Sequence, residues 1–206
     1  MVISASLAGF GLGLSLIVAI GAQNLFVLRQ GIRREHVLLV ASICAASDAV
    51  LIVAGVSGLG LVLQSVPWLV PVVRWAGAAF LVVYGALAAR RAWRGDGGAL
   101  DAGTASARPA PGRRAAVAFT CLALTWLNPH VYLDTVFLLG SIAATHGAER
   151  GWFAVGAVVA SGVWFFSLGF GARLLGRVLA TPRAWRVLDA LVALVMFAIA
   201  LSLVWP

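Results

Sequence analysis

The sequence predicts an all-α polytopic membrane protein: six transmembrane helices as two inverted three-helix halves, with helices 1 and 4 interrupted. Three observations carry this expectation. The 206 residues are 62% hydrophobic and only 11% charged, about half the charged share of an ordinary soluble domain. Apolar runs long enough to cross a hydrocarbon layer of about 30 Å, at about 1.5 Å per residue, separate the charged clusters. Mean hydropathy is +1.02, and the basic residues fall almost entirely on one side of a six-span arrangement.

The spans are predicted at 3–28, 36–63, 69–93, 115–140, 151–173 and 185–205. In lipid the backbone must satisfy its own hydrogen bonds, so these runs are helices. The first run has no basic leader, is too long for the apolar core of a signal peptide, and is not followed by an A-x-A cleavage pattern; it reads as a retained span.

Orientation follows from the arginines, which supply the whole basic content of 15 residues in a chain without lysine. Arg29, Arg33 and Arg34 lie around the 1–2 loop. Arg90, Arg91, Arg94, Arg108, Arg113 and Arg114 lie around the 3–4 connection, and Arg173, Arg177, Arg183 and Arg186 around the 5–6 connection. Only Arg74 and Arg150 fall on the other side. The positive-inside rule therefore predicts both termini outside, and a five-span arrangement would break the segregation. The net charge of +8 is thus loop charge that sets orientation, and not a nucleic-acid footprint. Trp68, Trp152 and Trp205 mark outer helix ends, and Trp93 and Trp185 inner ends, as an aromatic belt does. Trp126 and Trp164 fall near mid-span, as packing residues or as cavity walls.

Residues 94–114 are rich in Gly, Ala, Pro, Asp and Arg and lack periodicity, so they read as a flexible cytoplasmic linker. It separates a first three-helix half, 1–93, from a second, 115–206. Three is odd, so any repeat between the halves is inverted in the membrane. Gly9 with Gly13, and Gly156 with Ala160, make small-xxx-small patterns that let helices approach closely within one bundle.

Four intramembrane polar features remain. They are Gly21-Ala22-Gln23-Asn24 in span 1, Asp48 in span 2, Asn128-Pro129-His130 in span 4, and Asp134 beyond it. Pro129 breaks span 4, and Asn128 is suited to cap a second half-helix beginning there. The free N–H groups and positive dipole end of that half-helix then point into the bundle. Gly21 to Asn24 does the same in span 1, with Asn24 as the cap. Interrupted helices at matching places in two halves point to a transporter site. A mid-membrane carboxylate costs about 2.5–3.5 kcal/mol even on the insertion scale. No arginine lies at helical spacing from Asp48 or Asp134, so both suit a mobile cation: a substrate ammonium or guanidinium, a metal ion or a proton. His130 lies four residues before Asp134, on the same helical face, and is placed to share a proton with it. Asp189 reads as a surface partner of Arg186. Cys44 and Cys121 read as small core residues, with neither disulfide nor metal spacing. Catalytic, metal-site and phosphate-loop motifs are missing, so no enzyme and no cofactor is predicted.

These residues resemble the lysine exporter (LysE) family of bacterial amino-acid exporters, and its arginine-exporter branch most closely. The likeness rests on Gly21-Ala22-Gln23-Asn24, the run Phe26 to Arg34, Ser47-Asp48-Ala49-Val50-Leu51-Ile52, and Thr125 to Thr135 with its Leu-Asn-Pro-His and Tyr-Leu-Asp elements. It runs nearly end to end, failing only across the linker. Ala22 stands where the family usually has Pro, which predicts a softer first break than in relatives. The resemblance implies a multi-pass protein of the bacterial inner membrane that exports basic amino acids, arginine or lysine, from the cytoplasm. Asp48 and Asp134 would bind the cationic groups and the half-helix starts the α-carboxylate; Asn24 and Asn128 would cap those starts, and His130 would help pass a proton. Exchange for an inward proton would offset the cost of moving a cation outward, about 2.3 kcal/mol per 100 mV. The competing expectations are export of neutral amino acids or of divalent metal ions.

Overall fold

The computed structural model of the chain describes residues 2–19, 21–58, 68–94, 113–175 and 181–205. The predicted linker, apart from its edges, and the outer end of predicted span 2 lie outside the described residues. Among those described, every regular element is helical. In chain order they are α1 (Val2–Ile17), α2 (Ala22–Arg33), α3 (Val37–Val56), α4 (Leu69–Arg94), α5 (Arg113–Trp126), α6 (Pro129–Ala144), α7 (Arg150–Leu175) and α8 (Pro182–Val204).

Helices α3, α4, α7 and α8 contain stretches long and apolar enough to cross a membrane. The other four make two bent pairs. α1 and α2 meet at 82°, α5 and α6 at 58°, and counting each pair as one span brings the number to as many as six. Their outward faces are apolar: Leu7, Val53, Val83, Phe119, Leu174 and Leu194 are all exposed. Polar atoms are gathered inside instead, the inverse of a soluble protein and the arrangement lipid requires.

The two sequence halves share one core. Val40, Ala41 and Cys44 from α3 pack with Cys121 and Leu124 from α5, Phe165 from α7 and Met196 from α8. The Cys44 and Cys121 thiols are free, buried and 3.2 Å apart. α1 lies along α7 and α4 along α8, while α3 is wedged among α5, α6 and α7. The α1–α7 contact needs its small residues. A Cβ on Gly9 would strike the Phe153 carbonyl, and one on Gly156 the Ser6 carbonyl and, at 2.8 Å, the Phe10 nitrogen. The paired small-residue patterns therefore join two helices of one chain.

Two sequence expectations are corrected here. Trp68, Trp93, Trp152 and Trp205 are exposed as belt residues should be, but Trp185 is buried. The Arg33 guanidinium lies 5.4 Å from its ring centre. Asp189 is no surface partner of Arg186: it is fully buried and pairs with Arg29 at 2.9 Å and Arg91 at 3.4 Å. The partners come from α2 and α4, far off in sequence, where helical spacing cannot see them. Arg74, one of the two arginines outside the basic clusters, caps the end of α8. It donates to the Leu203 carbonyl and, at 3.2 Å, to that of Val204; a cation at a helix C-terminus satisfies its orphan acceptors and opposes its dipole.

Candidate functional site: a polar cavity between two helix breaks

The second break is built locally. Asn128 is extended, with φ −97° and ψ 107°, and its side-chain oxygen accepts from the His130 backbone N–H at 3.1 Å. Pro129 occupies the first helical position, where a missing N–H costs nothing. α6 then runs through a π-helical stretch, Tyr132–Leu138, a geometry common where a helix is adapted to function. Tyr132 ties the far side of the break down by donating to the Trp126 carbonyl at 2.8 Å.

The first break is built differently, and it corrects one expectation. Asn24 does not cap α2. The N-cap is Gly21, extended at φ −128°, with no side-chain hydrogen bond. Asn24 sits inside the first turn and reaches backwards. Its Nδ2 donates to the carbonyls of Ile17 at 2.7 Å and Ala19 at 2.8 Å. It thus closes the end of α1, whose last carbonyls have no helical donor. Its Oδ1 accepts from the Trp164 indole N–H on α7 at 3.2 Å. Ala22 takes the first helical position, buried. The break at Ala22 is the sharper of the two in this chain.

Both breaks open on one cavity of about 310 Å³. Gly21, Asn24, Asp48, Asn128, His130 and Asp134 all line it. Of the residues in the four polar features, Ala22 and Pro129 do not line it; Pro129 packs towards Gly77 on α4. Asp48 is buried and accepts from the Ser161 hydroxyl on α7 at 2.8 Å. Asp134 is only half-buried, and no hydrogen bond or ion pair links it to His130. The start of α2 leaves the N–H groups of its first turn without intrahelical acceptors beside this space, whereas at the start of α6 Pro129 has no N–H and those of His130 and Val131 are already bonded to Asn128, each at 3.1 Å. A cavity with two carboxylates and two helix N-termini suits a ligand carrying both a cation and an anion.

Gln23, Thr135 and Ser202 also line the cavity. Gln23 was legible as part of the first motif. The serine on Asp48, the indole on Asn24, and the bond from the Trp126 indole N–H to Ser47 at 3.2 Å were not, because each joins distant helices. Trp126 and Trp164 are therefore tied to the polar interior, which the belt pattern alone left undecided.

Comparison with known proteins places the chain by sequence. The profile of the LysE type translocator family matches residues 14–205. A candidate amino-acid transporter of Mycobacterium tuberculosis is 48% identical over 187 residues, covering 91% of this chain and 90% of its own length. A Mycobacterium bovis protein of the same description matches equally. The arginine exporter protein ArgO of Serratia proteamaculans is 46% identical over 200 residues, covering 97% of this chain and 95% of that one. No solved structure matches the chain. With the profile covering nearly the whole chain and relatives aligned almost end to end, this protein belongs to the LysE type translocator family.

Proposed function

We propose that the chain exports basic amino acids, arginine or lysine, from the bacterial cytoplasm in exchange for protons. The observation that carries the proposal is that Asp48 and Asp134 share one cavity with the starts of α2 and α6. The relative named as an arginine exporter supplies the substrate class. The carboxylates hold the guanidinium or ammonium; the free N–H groups of the first turn of α2, with the positive dipole end of α6, hold the α-carboxylate. The cavity lies at the small end of the range of about 300–1,000 Å³ typical of ligand sites.

Coupling follows from charge. Export of one cation against an inside-negative potential costs about 2.3 kcal/mol per 100 mV. A carboxylate that carries either substrate or a proton, and never both, offsets that movement. His130, at the cavity wall, is the group placed to pass the proton.

In this reading each bent pair is one span, residues 1–93 and 115–206 are inverted halves, and both termini lie outside. The packing supports such symmetry. Exchange of the halves turns the pair α1–α7 into a contact of α3 with α5 or α6, and leaves the pair α4–α8 unchanged; all of these contacts exist. The arginine-rich ends then face the cytoplasm.

The test is export of radiolabelled arginine from preloaded cells. Asp48→Asn and Asp134→Asn should each lower it by at least about tenfold, the loss expected when a buried charge partner worth 2–5 kcal/mol is removed. Collapsing the proton gradient should slow the wild type. Full export by both variants would refute the assignment.

A further inference from the structure

Two buried charges and a half-buried one take no part in the cavity. Asp189 on α8 is fully buried and Arg29 on α2 is 5% exposed. Arg29 holds the carboxylate in a fork: Nη1 to Oδ1 at 2.9 Å and Nη2 to Oδ2 at 3.5 Å. Arg91 on α4 adds Nε to Oδ1 at 3.4 Å, while its Nη2 is buried without a partner. Such a cluster is poorly explained as a stabiliser, since desolvation of buried ions cancels much of their attraction and an apolar replacement often serves as well.

Its position suggests a use. Arg29 lies five residues past Asn24, about 7–8 Å further along α2 and away from the cavity. Asp189 lies ten residues before cavity-lining Ile199, about 15 Å along α8. The cluster therefore stands between the cavity and the arginine-rich end of the bundle. Phe26 lies between Asn24 and Arg29 on α2 and packs edge-on to Tyr84 of α4, ring centres 6.3 Å apart. The Arg91 guanidinium lies 5.9 Å from the centre of the same Tyr84 ring. On the cavity's other side, Ser202 is exposed near the end of α8. Both arginines come from the first half of the chain and the carboxylate from the second.

We propose that Arg29, Arg91 and Asp189 are a gate: their ion pairs, backed by Phe26 and Tyr84, close the cavity towards the arginine-rich face, and substrate passes only when they separate. The proposal rests on the transporter reading above. Asp189 on this account is a gating residue that never touches substrate. An ion pair suits the task because it has a defined closed geometry and, when the halves part, each partner can be rehydrated.

The test uses the full chain carrying a Val131→Cys reporter in the cavity wall, labelled by a membrane-impermeant maleimide. Intact cells and inverted membrane vesicles expose opposite faces. With the gate intact, labelling from the arginine-rich face should be slow. Asp189→Asn should accelerate it by about tenfold, a shift of about 1.4 kcal/mol in the open population. The neutral double variant Arg29→Gln with Asp189→Asn should do the same without leaving Arg29 facing an uncharged partner. The exchange Arg29→Asp with Asp189→Arg should restore slow labelling. Folded variants whose labelling from that face stays at the wild-type rate would overturn the gate. So would a double variant that does not fold, since the cluster would then be structural. Failure of the wild type to export arginine, with labelling behaving as described, would instead remove the substrate assignment and leave the gate standing.

Discussion

The bend in the second half of the chain is written in two adjacent residues, whereas the bend in the first half is assembled from three separate helices. Asn128 caps and Pro129 breaks, and the α5–α6 angle of 58° follows from local chemistry. Gly21 contributes only a permissive N-cap. What holds the 82° turn there is Asn24, bonded back to α1 and across to Trp164 of α7. The same functional object, a helix start facing a cavity, is thus made once by local propensity and once by tertiary hydrogen bonds. A break of the first kind survives changes elsewhere in the bundle. One of the second kind depends on how α7 sits.

Substitution at the assembled break should therefore have the larger effect. Asn24→Leu leaves the Trp164 N–H and two carbonyls without partners. A fully buried loss of this kind costs about 1–3 kcal/mol; here the bonds with Ile17 and Trp164 are part-buried and that with Ala19 is exposed. Arginine export should fall by at least about tenfold, with a lower midpoint for thermal unfolding in detergent. Export and unfolding both unchanged would mean that Gly21 alone makes the turn.

Asn128→Ala comes next. It deletes one cap, worth about 1 kcal/mol, while Pro129 still forbids a continuous helix. Export should fall by a few-fold only, with a correspondingly small drop in the unfolding midpoint. A loss as large as that of Asn24→Leu would erase the contrast between the two breaks.

The smallest effect is expected at Ala22→Pro. Ala22 is the first residue of α2, where proline is well tolerated and the N–H has no helical acceptor. The gain from a stiffer unfolded chain is about 0.4–1 kcal/mol, read as a slightly higher unfolding midpoint with export retained. Destabilisation would show that this position is strained against its neighbours.

How much of this was legible in the sequence follows the same division. The all-helical, apolar character and the second break were legible because they depend on apolar run length and on Asn-Pro, and Asp48 and Asp134, which line the cavity, stood out through the rarity of charge in lipid. Asn24 was recognised as special but given the wrong job: a capping residue was expected to act forwards, and here the sharp turn places the α1 carbonyls within its reach. Asp189 was misplaced for the opposite reason. Arg186 is close in sequence, yet the pairs that form, with Arg29 and Arg91, lie 160 and 98 residues away. Ser161, which holds Asp48, carries no sequence signal, and Trp164, which holds Asn24, stood out only as a mid-span indole, because a hydroxyl or an indole in a span gains its partner only from what faces it.

The central claim is that the cavity between the two breaks reads a cationic side chain through Asp48 and Asp134. Its most direct test is equilibrium binding of arginine and its uncharged analogue citrulline to the purified protein. The wild type should prefer arginine by at least about tenfold, about 1.4 kcal/mol. The double variant Asp48→Asn with Asp134→Asn should bind the two alike. Equal affinity in the wild type, or an undiminished preference for arginine in the folded double variant, would contradict it.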